Sequence, residues 1–488
     1  MNRRESLKTL GLSTISASLL LEACKSPGSP VVKKEEFAFL PNLKSALQNN
    51  KSKGKLIFTF VSLAYTGNAK EGFRKPLVGM ELLAGIAHKY NIPVTWLIDL
   101  GTGSAMKNKL DEWHEKFRDD IGVSQRGEKE RDALLKLFPW SKVNILEETT
   151  HKGDETTRAK DLGFSAIWGS CWEQVGIDGI TDRGTPWGCF YVSDENYKIP
   201  SLKGKGLVSL EWTSRDLLKA LHSGGSTIYS SDAFDVTRAG LCTGDDITYW
   251  KALFDNYIRN IASNKFVFFQ QQLESHEMIY NDQYKDICTP AEIDMDAKVT
   301  DAFFSYVKSF GDLVEYKTLS EAVQLYNDNF SETEPSVMLF DDVPVKEIQF
   351  WYGRDNCATG PWPKTLLYYD KECQLAFIEG KFEPFLIRDY IHNRQILDPG
   401  YYRIAHEDEP EVKVNIPWEP VELTEVPVEI KANKEIPYAV TFWYDFNRYK
   451  IKNVEGAELV GPIENQVALL RLNLKKGINN IVIHLEKL

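Results

Sequence analysis

Between residues 55 and 329, short apolar runs rich in β-branched residues alternate with stretches of helical spacing; beyond residue 335 the helical spacing stops. That switch constrains the chain more than any other feature. A strand buried on both faces reads as a continuous apolar run, whereas a helix carries its apolar residues three and four apart. Residues 55–63 (KLIFTFVSL), 93–98 (PVTWLI) and 265–272 (KFVFFQQQ) read as strands, and residues 79–90, 106–118, 245–262 and 290–310 as helices. The pattern continues through 143–146, 159–162, 166–168 and 207–211, with a helix over 214–223 opened by Thr213 or Ser214 as its cap. Repeated β-α units of this kind predict an α/β fold over residues 51–330, a (β/α)7-8-type barrel with a parallel sheet under helices. Residues 335–488 carry only short strands between turn residues: 347–352, 364–370, 374–379, 427–431, 438–444, 467–472 and the final GINNIVIHLEKL. They predict a C-terminal β-sandwich region, one sandwich or two small ones, with linkers at 341–345 and 410–426.

The first 24 residues stand outside that frame. Arg3, Arg4 and Lys8 form a basic start, residues 10–21 are apolar or small, and Ala23-Cys24 closes the run. The run is too short to span a bilayer comfortably, which favours cleavage over anchoring by a helix. The paired arginines before Glu-Ser-Leu-Lys resemble the twin-arginine export signal. Leu21-Glu22-Ala23-Cys24 resembles the lipobox of bacterial lipoproteins, departing from it at Glu22, where a small residue is usual. The resemblance implies a signal peptide over 1–24, a lipid on Cys24, and a membrane lipoprotein of the cell envelope, periplasmic or surface-exposed. Residues 25–50, opening with KSPGSPVVKKEE, read as a flexible tether.

Composition narrows the partners. A net charge of −12 with no long basic block excludes a nucleic-acid partner on electrostatic grounds. Twelve Trp and 21 Tyr suit both core filling and the stacking of sugar rings. Of seven cysteines, six remain beyond Cys24, none in Cys-x-x-Cys spacing. Cys171–Cys189 and Cys357–Cys373 are near enough in sequence to bridge, and free buried thiols are an equal reading. Gly101-Thr102-Gly103 lacks the spacing of a dinucleotide loop and reads as a structural turn; no cofactor is expected.

Three stretches carry candidate chemistry. Residues 168–188 (WGSCWEQVGIDGITDRGTPWG) combine glycines, tryptophans and acids in one segment after a strand, where barrel loops build sites. Trp172 and Trp187 would be sugar platforms, Glu173 or Asp182 a reacting carboxylate, and Asp178 and Arg183 substrate contacts; an Ω-loop whose acids cap turns is the alternative. Glu211 ends an apolar strand, where burial would raise its pKa and suit proton donation, while Arg215 and Asp216 fit an ion pair at a helix start. In FVFFQQQLESHEM, Gln270 and Gln272 share one strand face and Gln271 the other, with Glu274 and His276 following the strand. Asp99, ending the second strand, is a further candidate substrate contact.

The order LIFTFVSLAY, MELLAGIAHKY, NIPVTWLIDLG, DDIGVSQRG resembles the opening of the glycoside hydrolase/deacetylase barrel superfamily, which includes the polysaccharide deacetylases; the likeness spans roughly residues 51–320. It implies sugar hydrolysis and a His or acid delivered by the final strands, the place of His276. The family's metal site needs Asp after the first strand and two His after the third. Here those places read Val61-Ser62-Leu63 and Val123-Ser124-Gln125, so no metal is expected. The leading expectation is a metal-independent glycoside hydrolase acting on a polysaccharide or oligosaccharide with paired carboxylates. Glu173, kept protonated by Trp172, would be the acid, and Glu274, kept ionised by His276, the base or nucleophile, with Asp182 and Glu211 as substitutes. A deacetylase-like hydrolase using His276 and a non-catalytic glycan-binding lipoprotein are the alternatives.

The export signal makes its own test. Cys24→Ser should release the protein from membranes, because lipid chains on Cys24 supply the anchor; retention of the variant in the membrane pellet after a high-salt wash would refute the lipoprotein reading.

Overall fold

The computed structural model describes residues 47, 54–64, 76–147, 155–171, 180–181, 188–192, 205–216, 228–262, 264–280 and 288–333. Beyond these it describes residues 337–340, 343, 365–370, 375–380, 387–389, 394–396, 400–403, 412–415, 424–443, 449–463 and 467–488. The chain divides into two compact units, one of residues 1–333 with 341–361 and one of residues 334–340 with 362–488. Residues 1–24, expected as an export signal, lie outside the described residues. Among the described residues no helix is long and apolar enough to cross a membrane.

The first unit is organised by β1 (Lys55–Ala64), whose residues are buried from Leu56 onward. Its apolar, β-branched run has no polar edge to offer water, so both edges must be paired. One edge pairs with β9 (Phe266–Gln272), from Lys55↔Phe266 to Val61↔Gln272. The other pairs first with β10 (Val314–Tyr316) and then with β2 (Val94–Ile98). From β2 the sheet runs through β3 (Asp120–Val123), β4 (Ile145–Glu147), β5 (Ala166–Cys171) and β8 (Val208–Glu211), all parallel. β6 (Ile180–Thr181) pairs with β5, and β7 (Cys189–Tyr191) lies antiparallel on β8. Just past β8, the Ser214 N–H donates to the Gln270 carbonyl at 2.8 Å and Ser214 Oγ accepts from the Gln270 N–H at 2.8 Å. The sheet therefore curls until the chain after β8 meets β9, in the manner of an α/β barrel.

The two faces of this sheet differ as the strand period requires. Ile57, Val61, Leu63, Leu97, Ile145, Ala166, Trp168, Val208, Leu210 and Phe268 form one buried cluster on the inner face. Leu319, Ala322, Val323 and Tyr326 of a late helix, Leu319–Asn329, pack into the same cluster. Phe58 and Phe269 face the other way, stacked at 5.8 Å, against Phe303 and Phe304 of the helix Pro290–Lys308 and Phe254 of the helix Thr248–Ile258. In chain order the helices are α1 (Pro76–His88), α2 (Leu100–Phe117), α3 (Arg131–Leu137), α4 (Glu155–Asp161), α5 (Ala233–Arg238), α6 (Thr248–Ile258), α7 (Pro290–Lys308) and α8 (Leu319–Asn329).

Several elements depart from the sequence expectation. Gly101-Thr102-Gly103 is not a turn but the first turn of α2, which starts at Leu100 because the Asp99 carboxylate accepts the Thr102 N–H at 2.7 Å. A Cβ on Gly103 would lie 3.0–3.3 Å from Leu134, Phe138 and Ile98, so glycine there serves close helix packing. The helix expected from Ser214 does not begin there. Residues 214–216 are not helical: Ser214 is bonded to Gln270 and Arg215 is bridged to Ser230. Arg215 and Asp216 are accordingly not a helix-start pair; both are fully buried, and Asp216 Oδ2 accepts from Tyr249 Oη at 3.4 Å. The helix expected over 245–262 is α6 followed by a 3-10 turn, Arg259–Ala262. α5, β10 and α8 carried no expectation of their own.

In the second unit every described element is a strand. The antiparallel sheets are β11-β12-β13-β16 (Val337–Phe340, Thr365–Asp370, Leu375–Gly380, Gly400–Arg403), β14-β15 (Ile387–Asp389, Arg394–Ile396), β17-β18-β23-β20 (Val412–Asn415, Glu425–Ala432, Gly477–Lys487, Tyr449–Glu455) and β19-β22-β21 (Ile436–Trp443, Val467–Leu474, Glu458–Ile463). β18 alternates exposed and buried residues along its whole length, the signature of a sheet with one covered face. β17 falls inside the stretch expected as a linker, and the strand expected over 347–352 lies outside the described residues.

Candidate functional site

Where the expected site residues can be placed, they stand at the C-terminal ends of parallel strands: Asp99 after β2, Glu211 at the end of β8, Gln272 at the end of β9, and Glu274 and His276 just beyond it. Trp172, Glu173, Asp178, Asp182, Arg183 and Trp187 lie outside the described residues. Asp99 Oδ1 caps α2, as above. Glu211 is buried and close to Cys189, whose thiol is pushed well up first by burial and then by the Glu211 charge. Cys189 is a free buried thiol, which removes the Cys171–Cys189 bridge.

The densest chemistry follows β9. The chain leaves the strand at Leu273, whose N–H still bonds the Val61 carbonyl at 3.2 Å, and then winds into a short 3-10 turn, Ser275–Met278. His276 Nε2 lies 2.6 Å from Glu274 Oε2, with the imidazole 3% and the carboxylate 13% exposed. Glu277 joins them, so that one ligand atom from each of Glu274, His276 and Glu277 lies within 4.8 Å of the others. The Glu277 carboxylate also reaches back to the Glu274 N–H at 3.4 Å as part of a capping box, which fixes the turn from within. Around it, Ser275 Oγ meets Ser62 Oγ of β1 at 2.8 Å. Arg238 of α5 holds Asp296 of α7 at 2.5 Å and also feels the Glu277 charge, while burial pushes Asp296 up to about 6 against the pull of Arg238.

Helix α1 presses directly on this turn. A Cβ on Gly79 would stand 1.8 Å from the Ser275 carbonyl oxygen, so only glycine lets the helix backbone approach.

The inner face of the sheet supplies a second group. Gln272 Nε2 donates to Asp232 Oδ2, and Asp232 Oδ1 caps α5 through the Phe234 N–H at 2.9 Å. Asp232 is fully buried and was missed in the sequence, where only its place in Ser230-Ser231-Asp232 before an apolar residue marked it as a cap. Gln270 and Gln272 do point to one face and Gln271 to the other, as alternation with Phe268 and Phe269 requires. All three amides are fully buried. Both amide atoms of Gln270 and of Gln271, and Gln272 Oε1, find no hydrogen-bond partner among the described residues. A buried polar group left so costs about 1–3 kcal/mol.

The zinc site implied by the deacetylase resemblance does not fit the residues at its expected places. Ser62 is tied to Ser275, Ser124 offers a neutral hydroxyl, and the Gln125 N–H donates to Glu147 at 3.0 Å. The Glu274–His276–Glu277 group has suitable donors, but two ligands about 2.0 Å from a tetrahedral ion stand about 3.3 Å apart. Glu274 Oε2 stands 2.6 Å from His276 Nε2 without the geometry of a hydrogen bond, and an ion bound by both would have to move them apart.

No protein-family model matches the chain, and no curated protein sequence matches it. Among solved structures, a Mycobacterium smegmatis protein described as a polysaccharide deacetylase overlaps 58% of this chain and 94% of its own, at 13% identity and a TM-score of 0.35. Puue allantoinase overlaps 57% of this chain and 92% of its own, at 10% identity and a TM-score of 0.38. The 4-alpha-glucanotransferase of Thermococcus litoralis overlaps 89% of this chain and all of its own, at 8% identity and a TM-score of 0.32. Overlaps this loose transfer neither a site nor an activity.

The contact between α1 and the turn after β9 is testable without a substrate. Gly79→Ala should destabilise the protein by about 1–3 kcal/mol, as overpacking against backbone does. An unchanged melting temperature would mean that α1 does not clamp the Glu274–His276 turn.

Proposed function

We propose that the chain is an exported, lipid-anchored hydrolase of carbohydrate, acting at the strand-end face of the first unit without a metal. The observation that carries this reading is the 2.6 Å pairing of Glu274 with a nearly buried His276 at the C-terminal end of β9. A carboxylate set against an imidazole in a shielded turn suits base or nucleophile chemistry, since a protonated imidazole at that distance would favour its charge. Leu273 still bonds Val61 of β1, and Glu274 is the acid immediately beyond that bond, where a strand end meets the loops that build barrel sites. Its partner acid would be Glu173, with Asp182 or Glu211 as substitutes, and Trp172 and Trp187 would stack the sugar, with Asp178 and Arg183 at its edge. The first unit would be a closed (β/α)7-8-type barrel and the second a β-sandwich that binds glycan. The envelope location rests on the residues around Arg3, Arg4 and Cys24.

A second reading is favoured by one observation. Glu274, His276 and Glu277 form a three-donor group, which would suit a metal-assisted deacetylase-like hydrolase if the Glu274–His276 pair opens. A screen of the protein lacking residues 1–24 on neutral glycans and their N-acetylated counterparts, with and without chelator, separates the two. Glycosidic cleavage that survives chelation and falls about 10²-fold or more in Glu274→Gln, with glycan binding retained, is expected. Turnover lost with the chelator and restored by zinc would give the site to the second reading. Full turnover in Glu274→Gln would remove Glu274 from the chemistry.

A further inference from the structure

The strand alternation sorts buried polar groups onto the inner face with no protein partner to satisfy them. Thr59 lies between Ile57 and Val61 of the inner cluster, and Gln270 and Gln272 follow Phe268 of the same cluster at alternate positions. Thr59 and Gln270 are register partners across the β1–β9 pair. Trp168 belongs to the cluster itself. Thr59 Oγ1, Trp168 Nε1, both amide atoms of Gln270 and Gln272 Oε1 are buried and have no hydrogen-bond partner among the described residues.

This arrangement differs from an ordinary core in three ways. An apolar residue would fill each of these positions at no desolvation cost, as Ile57, Val61 and Phe268 do beside them. The orphan set holds both donors and acceptors, so a molecule able to do both can satisfy it, and bulk solvent cannot reach it directly. The set is also uncharged. Among the described residues, the Asp232 carboxylate is bonded to it, accepting from Gln272 Nε2 and from the Phe234 N–H.

We propose that the inner face of the β1–β9 seam is the recognition wall for an uncharged sugar unit, with Gln270 and Thr59 exchanging hydrogen bonds with its hydroxyl or acylamino groups. A carboxamide such as Gln270 both donates and accepts, matching either group, while an ammonium or a carboxylate would enter the site desolvated with no counter-charge among these residues. The wall rests on the carbohydrate reading above and gives it a substrate class: neutral units are taken and uronates or free amino sugars refused. Gln271 provides a control on the same strand. It is equally buried and equally unpartnered, but it faces the helices together with Phe269, away from the wall.

Calorimetric titration of the full chain tests this, with oligosaccharides of glucose and of N-acetylglucosamine as neutral probes and of glucuronate and glucosamine as charged ones. The neutral probes should bind at least tenfold more tightly than the charged ones, and the stronger of the two neutral series tells a hydroxyl-reading wall from an acylamino-reading one. Gln270→Met should weaken neutral binding at least tenfold while raising the melting temperature, because it removes an unpaired buried amide. Gln271→Met should raise the melting temperature and leave binding unchanged. If Gln270→Met does not fold, the isosteric Thr59→Val should show the same loss of affinity. The proposal is overturned if neutral sugars do not bind, if charged sugars bind as well as neutral ones, or if both Gln270→Met and Thr59→Val keep full affinity. Binding that depends on the wall without any hydrolysis would sink the enzyme and spare the wall. Hydrolysis indifferent to Gln270 and Thr59 would do the reverse.

Discussion

Everything in the first unit depends on the pairing of β1 along both of its edges. β9 holds one edge over seven register positions, and β10 and β2 share the other in succession. Such a strand has no solvent-facing backbone and admits no register slip, because a one-residue shift would exchange Phe58 and Phe60 with Ile57, Thr59 and Val61. The aromatic residues would then leave the helices, and the inner cluster would lose its aliphatic lining. With register fixed, β9 must end beside Val61, and the turn carrying Glu274 and His276 must begin where Leu273 bonds Val61. The location of the site follows from the ladder.

What supports that turn comes from three directions. β1 contributes Ser62, α1 approaches to backbone distance at Gly79, and the turn closes its own capping box through Glu277. Short as it is, the turn has little freedom to move Glu274 and His276 apart. That rigidity would serve the proposed chemistry, since a base that is already aimed need not be ordered again when substrate arrives. It also bears on metal binding, because a clamped pair resists the opening that an inserted ion would require.

The sequence made the alternation of strands and helices legible because apolar runs and helical spacing are local properties. KLIFTFVSL, PVTWLI and KFVFFQQQ each became a parallel strand of the curled sheet. It misplaced the stretch after Glu211, where Thr213-Ser214 looked like a helix cap. Ser214 instead bonds Gln270, 56 residues away in the chain, and no local signal announces such a partner. Gly101-Thr102-Gly103 misled for a related reason: two glycines suggest a turn, but at Gly103 the missing side chain makes room for Leu134 and Phe138. In the site, the outward and inward faces of Gln270, Gln271 and Gln272 followed from strand period alone. Asp232 did not, since its tie to Gln272 exists only once the sheet has curled.

Glu274 is proposed to react, and its position as the cap of a 3-10 turn gives it a competing structural duty. Rescue by a small carboxylate separates the two. In Glu274→Ala, turnover on a neutral glycan should be lost and then return in proportion to added formate, which can occupy the vacated space and supply the missing charge. Turnover that stays lost at every formate concentration, together with a lowered melting temperature, would make Glu274 a structural cap with no part in the chemistry.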